Sequence, residues 1–169
     1  MAKQQLEADI LVEIQKRCVD KPGALQIARG MSHFGEHALG WMGIGALGAL
    51  IDRKRRAPWL KVIASAFISH AASVVIKRIV RRKRPHDSRI KIGVATPSKL
   101  SFPSSHATST TAALVSISLL AKSSLPLIGV PAMMLSRMVL GVHYPTDVLA
   151  GAALGAVTAT SVERLGRGK

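Results

Sequence analysis

The sequence has little cysteine and few aromatic side chains. Cys18 is its single cysteine, which excludes an intrachain disulfide. Aromatic residues make up 4% of the chain although 48% of it is hydrophobic, so the apolar residues are mainly alanine, leucine, valine and isoleucine, with many glycines beside them. Small residues of this kind let helices pack closely in lipid. The composition therefore favours a membrane helix bundle over a soluble globule.

Acidic residues are also scarce. The chain has 9 Asp and Glu against 24 Lys and Arg, which gives a net charge of +15. No cluster of acidic residues could hold Mg²⁺ or Ca²⁺ through oxygen ligands, so we expect no metal and no other cofactor. The positive excess fits nucleic acid, anionic lipid or an anionic substrate, and its total does not choose between them.

Long stretches without any charge define the organisation of the chain. Residues 107–121, 123–136 and 148–162 contain no charged side chain. A soluble helical bundle would carry charged faces at 3.6-residue spacing in such segments, and these have none. We predict an all-α, polytopic membrane bundle with five spans, extended at their ends by polar flanks. The predicted spans are 35–51, 59–80, 105–121, 124–142 and 146–163.

The first 34 residues have a different pattern. Leu6, Ile10, Ile14 and Cys18 recur every four positions among charged residues, which predicts an amphipathic helix on the membrane surface or against the bundle. The segment lacks the three regions of a signal peptide. We therefore divide the chain into an interfacial segment, 1–34, and a transmembrane domain, 35–169.

A basic segment closes the second predicted span. Lys77 and Arg84 are seven residues apart, which would place them on one helical face before Pro85 ends the helix. An Arg fork and a Lys point charge can meet one phosphate from different directions. The other basic residues of the run are interpreted as a headgroup-binding collar: Arg78, Arg81, Arg82 and Lys83.

A second polar segment opens the third span. Ser104 and Ser105 stand where helix-capping residues are common, and a helix start is also a place where backbone N–H groups receive an anion. His106 follows at the membrane boundary. Capping alone could explain the serines, but the histidine adds a group that can transfer protons.

A third segment lies between the last two spans. Arg137 follows an uncharged stretch, and an ionisable group within a span is a functional candidate because its desolvation is costly. His143 and Asp147 are four residues apart. This spacing would let the carboxylate accept the imidazole N–H and make the opposite nitrogen a better nucleophile.

Together the three segments resemble the type-2 phosphatidic acid phosphatase family. The patterns are Lys-x6-Arg-Pro, Pro-Ser-x-His and Ser-Arg-x5-His-x3-Asp, in this order. They begin at Lys77, Pro103 and Ser136, and the resemblance covers about residues 60–163. Ser105 departs from the family pattern, which usually has glycine there. Its backbone N–H is retained, but the freedom of glycine at positive φ is lost.

The resemblance implies metal-independent hydrolysis of a phosphomonoester through a phosphohistidine. His143 would attack phosphorus, Asp147 would orient it, and His106 would protonate the leaving alkoxide and later activate water. Five residues would hold the non-bridging oxygens: Lys77, Arg84, Arg137, Ser104 and Ser105.

The substrate is expected to be a membrane lipid phosphate, because the site lies at a membrane boundary. The size and layout of the chain are similar to those of family members that dephosphorylate a decaprenyl-linked ribose 5-phosphate. Undecaprenyl pyrophosphate, phosphatidylglycerophosphate and phosphatidic acid remain alternative substrates. The related vanadate-binding haloperoxidases are large soluble proteins, and this chain lacks their polar exterior. A non-enzymatic membrane protein that binds anionic lipid or nucleic acid would leave the two histidines and Arg137 unexplained.

The predicted location is the cell membrane, with several passes. Fifteen basic residues fall on the active-site side of the five-span arrangement and nine on the other, which indicates a cytoplasmic active site. The expected partners are the lipid bilayer and the lipid phosphate, with a homo-oligomer possible and no nucleic acid.

Overall fold

The chain folds into helices that follow its charge-free stretches. The computed structural model describes residues 2–165, and this part of the chain contains helices and connecting segments, with an isolated β-bridge between Lys83 and Leu100. The predicted all-α class is confirmed. The helices are α1 (Ala2–Cys18), α2 (Ala24–Phe34), α3 (Leu39–Ile51), α4 (Arg56–Val80), α5 (Ser105–Ala121), α6 (Gly129–Val139) and α7 (Pro145–Leu165).

Helix α5 lies at the centre and packs against α4, α6 and α7. Its contact with α7 is made by backbone. A Cβ atom at Gly155 would lie 2.3 Å from the Thr108 carbonyl oxygen, and one at Gly151 would lie 2.7 Å from the Ser104 carbonyl oxygen. No larger residue fits there without a shift of the backbone, so Gly151 and Gly155 allow α5 and α7 to pack closely.

The buried face of α5 is rich in hydroxyl groups, and some of them form hydrogen bonds with side chains of other helices. The Ser116 hydroxyl donates to Ser65 Oγ at 3.0 Å, and the Trp41 indole N–H donates to Thr110 Oγ1 at 2.9 Å. Such bonds satisfy polar groups that would be costly to bury alone. They connect α5 to α4 and α3.

The predicted spans agree with the helices in position but not in every boundary. The predicted span 35–51 starts too early, since Glu36–Ala38 forms a separate 3-10 turn. The predicted span 124–142 consists of a 3-10 turn, Leu125–Ile128, followed by α6. Two helical segments within residues 2–165 are long and apolar enough to cross a membrane, Arg53–Val80 and Pro145–Leu165. The total of five spans stays a prediction.

The N-terminal segment contains two helices, and its predicted apolar stripe is partly wrong. Leu6 and Ile10 are exposed, whereas Ile14 and Cys18 pack against a cluster around Leu140. The face of α1 that packs on the bundle contains Glu7, Ala8, Leu11, Val12 and Gln15. Two polar residues on this face bond to the bundle, and apolar periodicity does not register such contacts.

The helical argument that paired Lys77 with Arg84 is also wrong. Helix α4 ends at Val80, and Arg81 caps it in the left-handed conformation with φ 53°. Arg84 therefore stands beyond the helix, where its backbone N–H donates to the Lys99 carbonyl oxygen at 3.2 Å. The position of the Arg84 side chain therefore depends on backbone pairing with the segment at Lys99 and not on helical periodicity.

Candidate active site

A cavity of about 490 Å³ lies where the end of α4, the start of α5 and the end of α6 meet. Six of the eight predicted site residues line it: Lys77, Arg84, Ser105, His106, Arg137 and His143. Ser104 and Asp147 are fully buried behind this wall. Segments far apart in sequence thus meet at one cavity.

Four cationic side chains line the cavity: Lys77, Arg78, Arg84 and Arg137. Lys77 is 8% exposed and Arg137 is 2% exposed. The Nε and Nη1 atoms of Arg137 are buried and have no hydrogen-bond partner among the described residues. An unpaired buried guanidinium is costly, and an oxyanion that accepts from it would reduce this cost. The arrangement fits a phosphate group.

Arg84 holds the imidazole of His143. Its Nη1 atom lies 3.2 Å from His143 Nε2 and donates to the Val142 carbonyl oxygen at 2.7 Å. A guanidinium only donates, so Nε2 must accept, and the ring proton of neutral His143 is on Nδ1. Burial and the nearby charge of Arg84 place the pKa of His143 well below its ordinary value. The neutral ring therefore has its lone pair on the cavity side.

Asp147 lies behind His143 but does not hydrogen-bond to it. The Nδ1 to Oδ2 distance is 3.6 Å, which is longer than a hydrogen bond. The same Oδ2 accepts from the backbone N–H of Tyr144 at 2.8 Å. The predicted pair is brought together, and a short shift of the ring would make its bond.

His106 enters the cavity from the first turn of α5. Its Nε2 lies 2.9 Å from the Ser32 carbonyl oxygen, so this nitrogen carries a proton. A Cβ atom at Gly35 would lie 2.8 Å from the His106 ring, so the glycine leaves room for it. The turn that follows α2 therefore orients the second histidine, a contact that the sequence did not indicate.

The two serines before His106 differ in position. Ser104 is the N-cap of α5, its Oγ accepts from the Ala107 N–H, and its own N–H donates to the Asp147 carbonyl oxygen at 2.9 Å. Ser105 lines the cavity, and its Oγ accepts from the Ser73 hydroxyl at 2.8 Å. Ser105 starts the helix and is not at positive φ. Its departure from glycine causes no backbone strain here.

Our interpretation of the basic run is wrong for Arg82. We assigned it to a headgroup collar, but its side chain is 21% exposed and forms ion pairs with Asp147 at 2.9 Å and with Glu7 at 2.6 Å. A charge run in a sequence does not reveal which member turns inward. His37 and His70, which also line the cavity, were not singled out. An ionisable residue in the middle of an apolar span was the available signal for His70.

Within residues 2–165, the structure groups no three His, Cys, Asp or Glu side chains at ligating distance. Absence of a metal requirement remains a prediction for experiment.

Residues 58–167 match the model of the PAP2 superfamily. The decaprenylphosphoryl-5-phosphoribose phosphatase of Mycobacterium tuberculosis is 50% identical over 163 residues, covering 96% of this chain and 92% of that protein. The protein of the same name from Mycolicibacterium smegmatis is 54% identical over 145 residues, covering 86% and 81%.

One solved structure is similar along nearly the whole chain. It is the transmembrane PAP2-type phosphatidylglycerolphosphate phosphatase from Bacillus subtilis, with a TM-score of 0.77 and 23% identity over 98% of this chain and 87% of that one. At this identity, the likeness concerns the fold.

Proposed function

The chain belongs to the PAP2 superfamily, and on that premise we propose that it removes the 5-phosphate from decaprenylphosphoryl-5-phosphoribose. The substrate comes from the name of the mycobacterial relatives, which are about half identical to this chain. The observation that carries the chemistry is the buried, unpaired Arg137 beside His106 and His143. The protein is membrane-associated.

In the first step, His143 Nε2 attacks phosphorus while the bond between phosphorus and the ribose C5 oxygen breaks. His106 starts the step protonated on both ring nitrogens; it gives the Nδ1 proton to the leaving oxygen while its Nε2–H stays on the Ser32 carbonyl, and a phosphohistidine remains. Arg84 exchanges its contact with His143 for a phosphate oxygen, which frees the Nε2 lone pair. Lys77 and Arg137 stabilise charge on the non-bridging oxygens, together with the Ser105 N–H. Ser104 supports them from the N-cap.

In the second step, His106 takes a proton from water as the water oxygen attacks phosphorus. The bond between phosphorus and His143 Nε2 breaks, and inorganic phosphate leaves. Asp147 stabilises the positive charge that the ring of His143 carries as a phosphohistidine, because its Oδ2 lies 3.6 Å from Nδ1. No step requires a metal.

We place the protein in the cell membrane as a multi-pass protein with a cytoplasmic active site. The excess of basic residues on the active-site side supports this orientation. The bilayer holds the lipid tail of the substrate, and two copies of the chain could associate through exposed apolar helix faces.

Phosphate release by the purified protein in detergent tests the proposal. We expect hydrolysis of decaprenylphosphoryl-5-phosphoribose with a higher kcat/KM than of undecaprenyl pyrophosphate, phosphatidylglycerophosphate or phosphatidic acid. Excess EDTA should leave the rate unchanged. Preference for a glycerolipid phosphate would contradict the substrate, and loss of activity with EDTA that added Mg²⁺ restores would contradict the mechanism.

A further inference from the structure

The N-terminal helix α1 reaches the active site through one carboxylate. Glu7 is 5% exposed, and its carboxylate accepts from the Arg82 guanidinium at 2.6 Å and from the Thr146 backbone N–H at 3.1 Å. Burial opposes the charged form, but the hydrogen bonds from Thr146 and Arg82 outweigh it and lower the pKa of Glu7. Glu7 is therefore ionised at neutral pH.

Arg82 joins Glu7 to the carboxylate behind the nucleophile. Its Nη1 donates to Asp147 Oδ1 at 2.9 Å and to Thr146 Oγ1 at 2.6 Å, while Nη2 binds Glu7. The guanidinium also lies 4.2 Å from the centre of the Tyr144 ring. Contacts on several sides fix a planar group that can bind two carboxylates at once.

We infer that Arg82 is a positioning residue for the reaction and that Glu7 acts through it. This inference rests on the proposed function. Arg82 occupies Oδ1 of Asp147 and the Tyr144 N–H occupies part of Oδ2, so the remaining capacity of Oδ2 faces His143. The chain from Glu7 through Arg82 to Asp147 thus sets the orientation of the nucleophile from outside the cavity.

Steady-state kinetics with the lipid substrate test this role. Arg82→Met should lower kcat about 10²-fold, the scale of a misplaced catalytic group, with KM within twofold of wild type. Arg82→Lys keeps the charge but cannot span both carboxylates, and should lose about tenfold. Arg81→Met is the matched control, because Arg81 is an exposed neighbour, and its kcat should not change.

A double-mutant cycle separates positioning from a structural role. Glu7→Gln should lower kcat about tenfold alone and have almost no further effect in Arg82→Met, because its contribution passes through Arg82. If Arg82→Met does not fold, Glu7→Gln supplies the kcat against KM comparison. An unchanged kcat, a rise in KM alone, or additive losses would each overturn the inference. His143→Ala would still report whether the proposed reaction takes place.

A second inference concerns the wall of the cavity beyond the phosphate site. His70 lies in α4 on the same face as Lys77, seven residues away, so about 10 Å separates them along the helix. Its Nδ1 is buried without a hydrogen-bond partner among the described residues. The ring centre of His37 is 5.8 Å from that of His70.

The turn that contains His37 has an unusual backbone conformation. His37 and Ala38 have φ values of 50° and 62°, although neither is glycine. Residues held in the left-handed region carry a cost and are concentrated at functional sites. This turn presents His37 to the cavity opposite α4. Two imidazoles thus offer hydrogen bonds in the same cavity as the phosphate cations, with His70 about 10 Å along α4 from Lys77.

We propose that His37 and His70 form a subsite for a hydroxyl-bearing leaving group, here the ribose of the proposed substrate. The experiment measures binding to protein that carries His143→Ala, so that ribose 5-phosphate is not hydrolysed during the titration. This protein in detergent should bind ribose 5-phosphate more tightly than inorganic phosphate in calorimetric titration. Adding His70→Leu should weaken ribose 5-phosphate about tenfold and leave inorganic phosphate unchanged, because a sugar hydroxyl loses its partner.

His37→Leu should weaken ribose 5-phosphate and leave inorganic phosphate unchanged in the same way. It replaces His70→Leu in the test if that variant does not fold. His86→Leu is the control, because His86 is exposed and lies outside the cavity. Equal affinity of the His143→Ala protein for the two ligands, or equal losses for both ligands when the further substitutions are added, would overturn the subsite. Failure of lipid hydrolysis would instead count against the proposed function.

Discussion

Replacing His143 with alanine is expected to lower kcat for the lipid phosphate by about 10⁴-fold or more, because the variant lacks the atom that bonds to phosphorus in the proposed mechanism. The position of this residue explains the size of the effect. His143 is 1% exposed, its Nε2 faces Arg84, and its Nδ1 faces Asp147. No other described side chain combines these contacts, so no neighbour can substitute for it.

A trapped intermediate identifies the role of His143. Rapid quenching with a ³²P-labelled substrate should yield protein-bound phosphate that is stable to alkali and labile to acid, as expected for a phosphoramidate, and His143→Ala should yield none. His86→Ala should retain the adduct, since His86 is exposed and outside the cavity. Turnover by wild type without any adduct, with loss in the variant, would indicate direct attack by water.

Replacing Arg137 with methionine is expected to change activity and stability in opposite directions. Loss of a buried donor pair to the transferring phosphoryl group should lower kcat/KM about 10²- to 10³-fold. In phosphate-free buffer, the same change removes a guanidinium with two unpaired buried nitrogens. The ligand-free protein should therefore gain about 1–3 kcal/mol in free energy of unfolding.

Thermal unfolding in detergent measures the second effect. Inorganic phosphate should raise the Tm of wild type, since it binds the folded state, and should have little effect on Arg137→Met. Arg81→Met, an exposed arginine changed in the same way, should keep both activity and the phosphate response. A lower Tm for ligand-free Arg137→Met than for wild type would show that Arg137 stabilises the fold.

Sequence spacing was enough to select most of the residues that the structure brings together at one cavity. Lys77, His106, Arg137 and His143 line one cavity, although they come from three separate segments. Their positions follow from rules that a sequence carries, namely where apolar helices start and end and which polar groups stand at those ends. The all-α fold follows from the same rules.

The predictions that were wrong concern residues whose positions depend on tertiary contacts. Arg84 reaches the site because the returning chain at Lys99 binds its backbone, which helical spacing cannot show. Arg82 turns inward because two carboxylates, Glu7 and Asp147, are available there. The buried face of α1 is likewise set by Glu7, whose partner lies 75 residues away. Local periodicity contains no information about such partners.

Backbone contact between α5 and α7 limits how the cavity can open. Gly151 and Gly155 leave no side chain between these helices, and the Ser104 amide bonds to the Asp147 carbonyl. His106 stands on α5 and His143 directly precedes α7, so the distance between the proposed proton donor and the proposed nucleophile is set by main chain. In the proposed reaction, lipid and phosphate would then enter and leave past the opposite wall, built from residues 94–98 and the Glu36–Ala38 turn. The two histidines would keep their spacing if this wall moved.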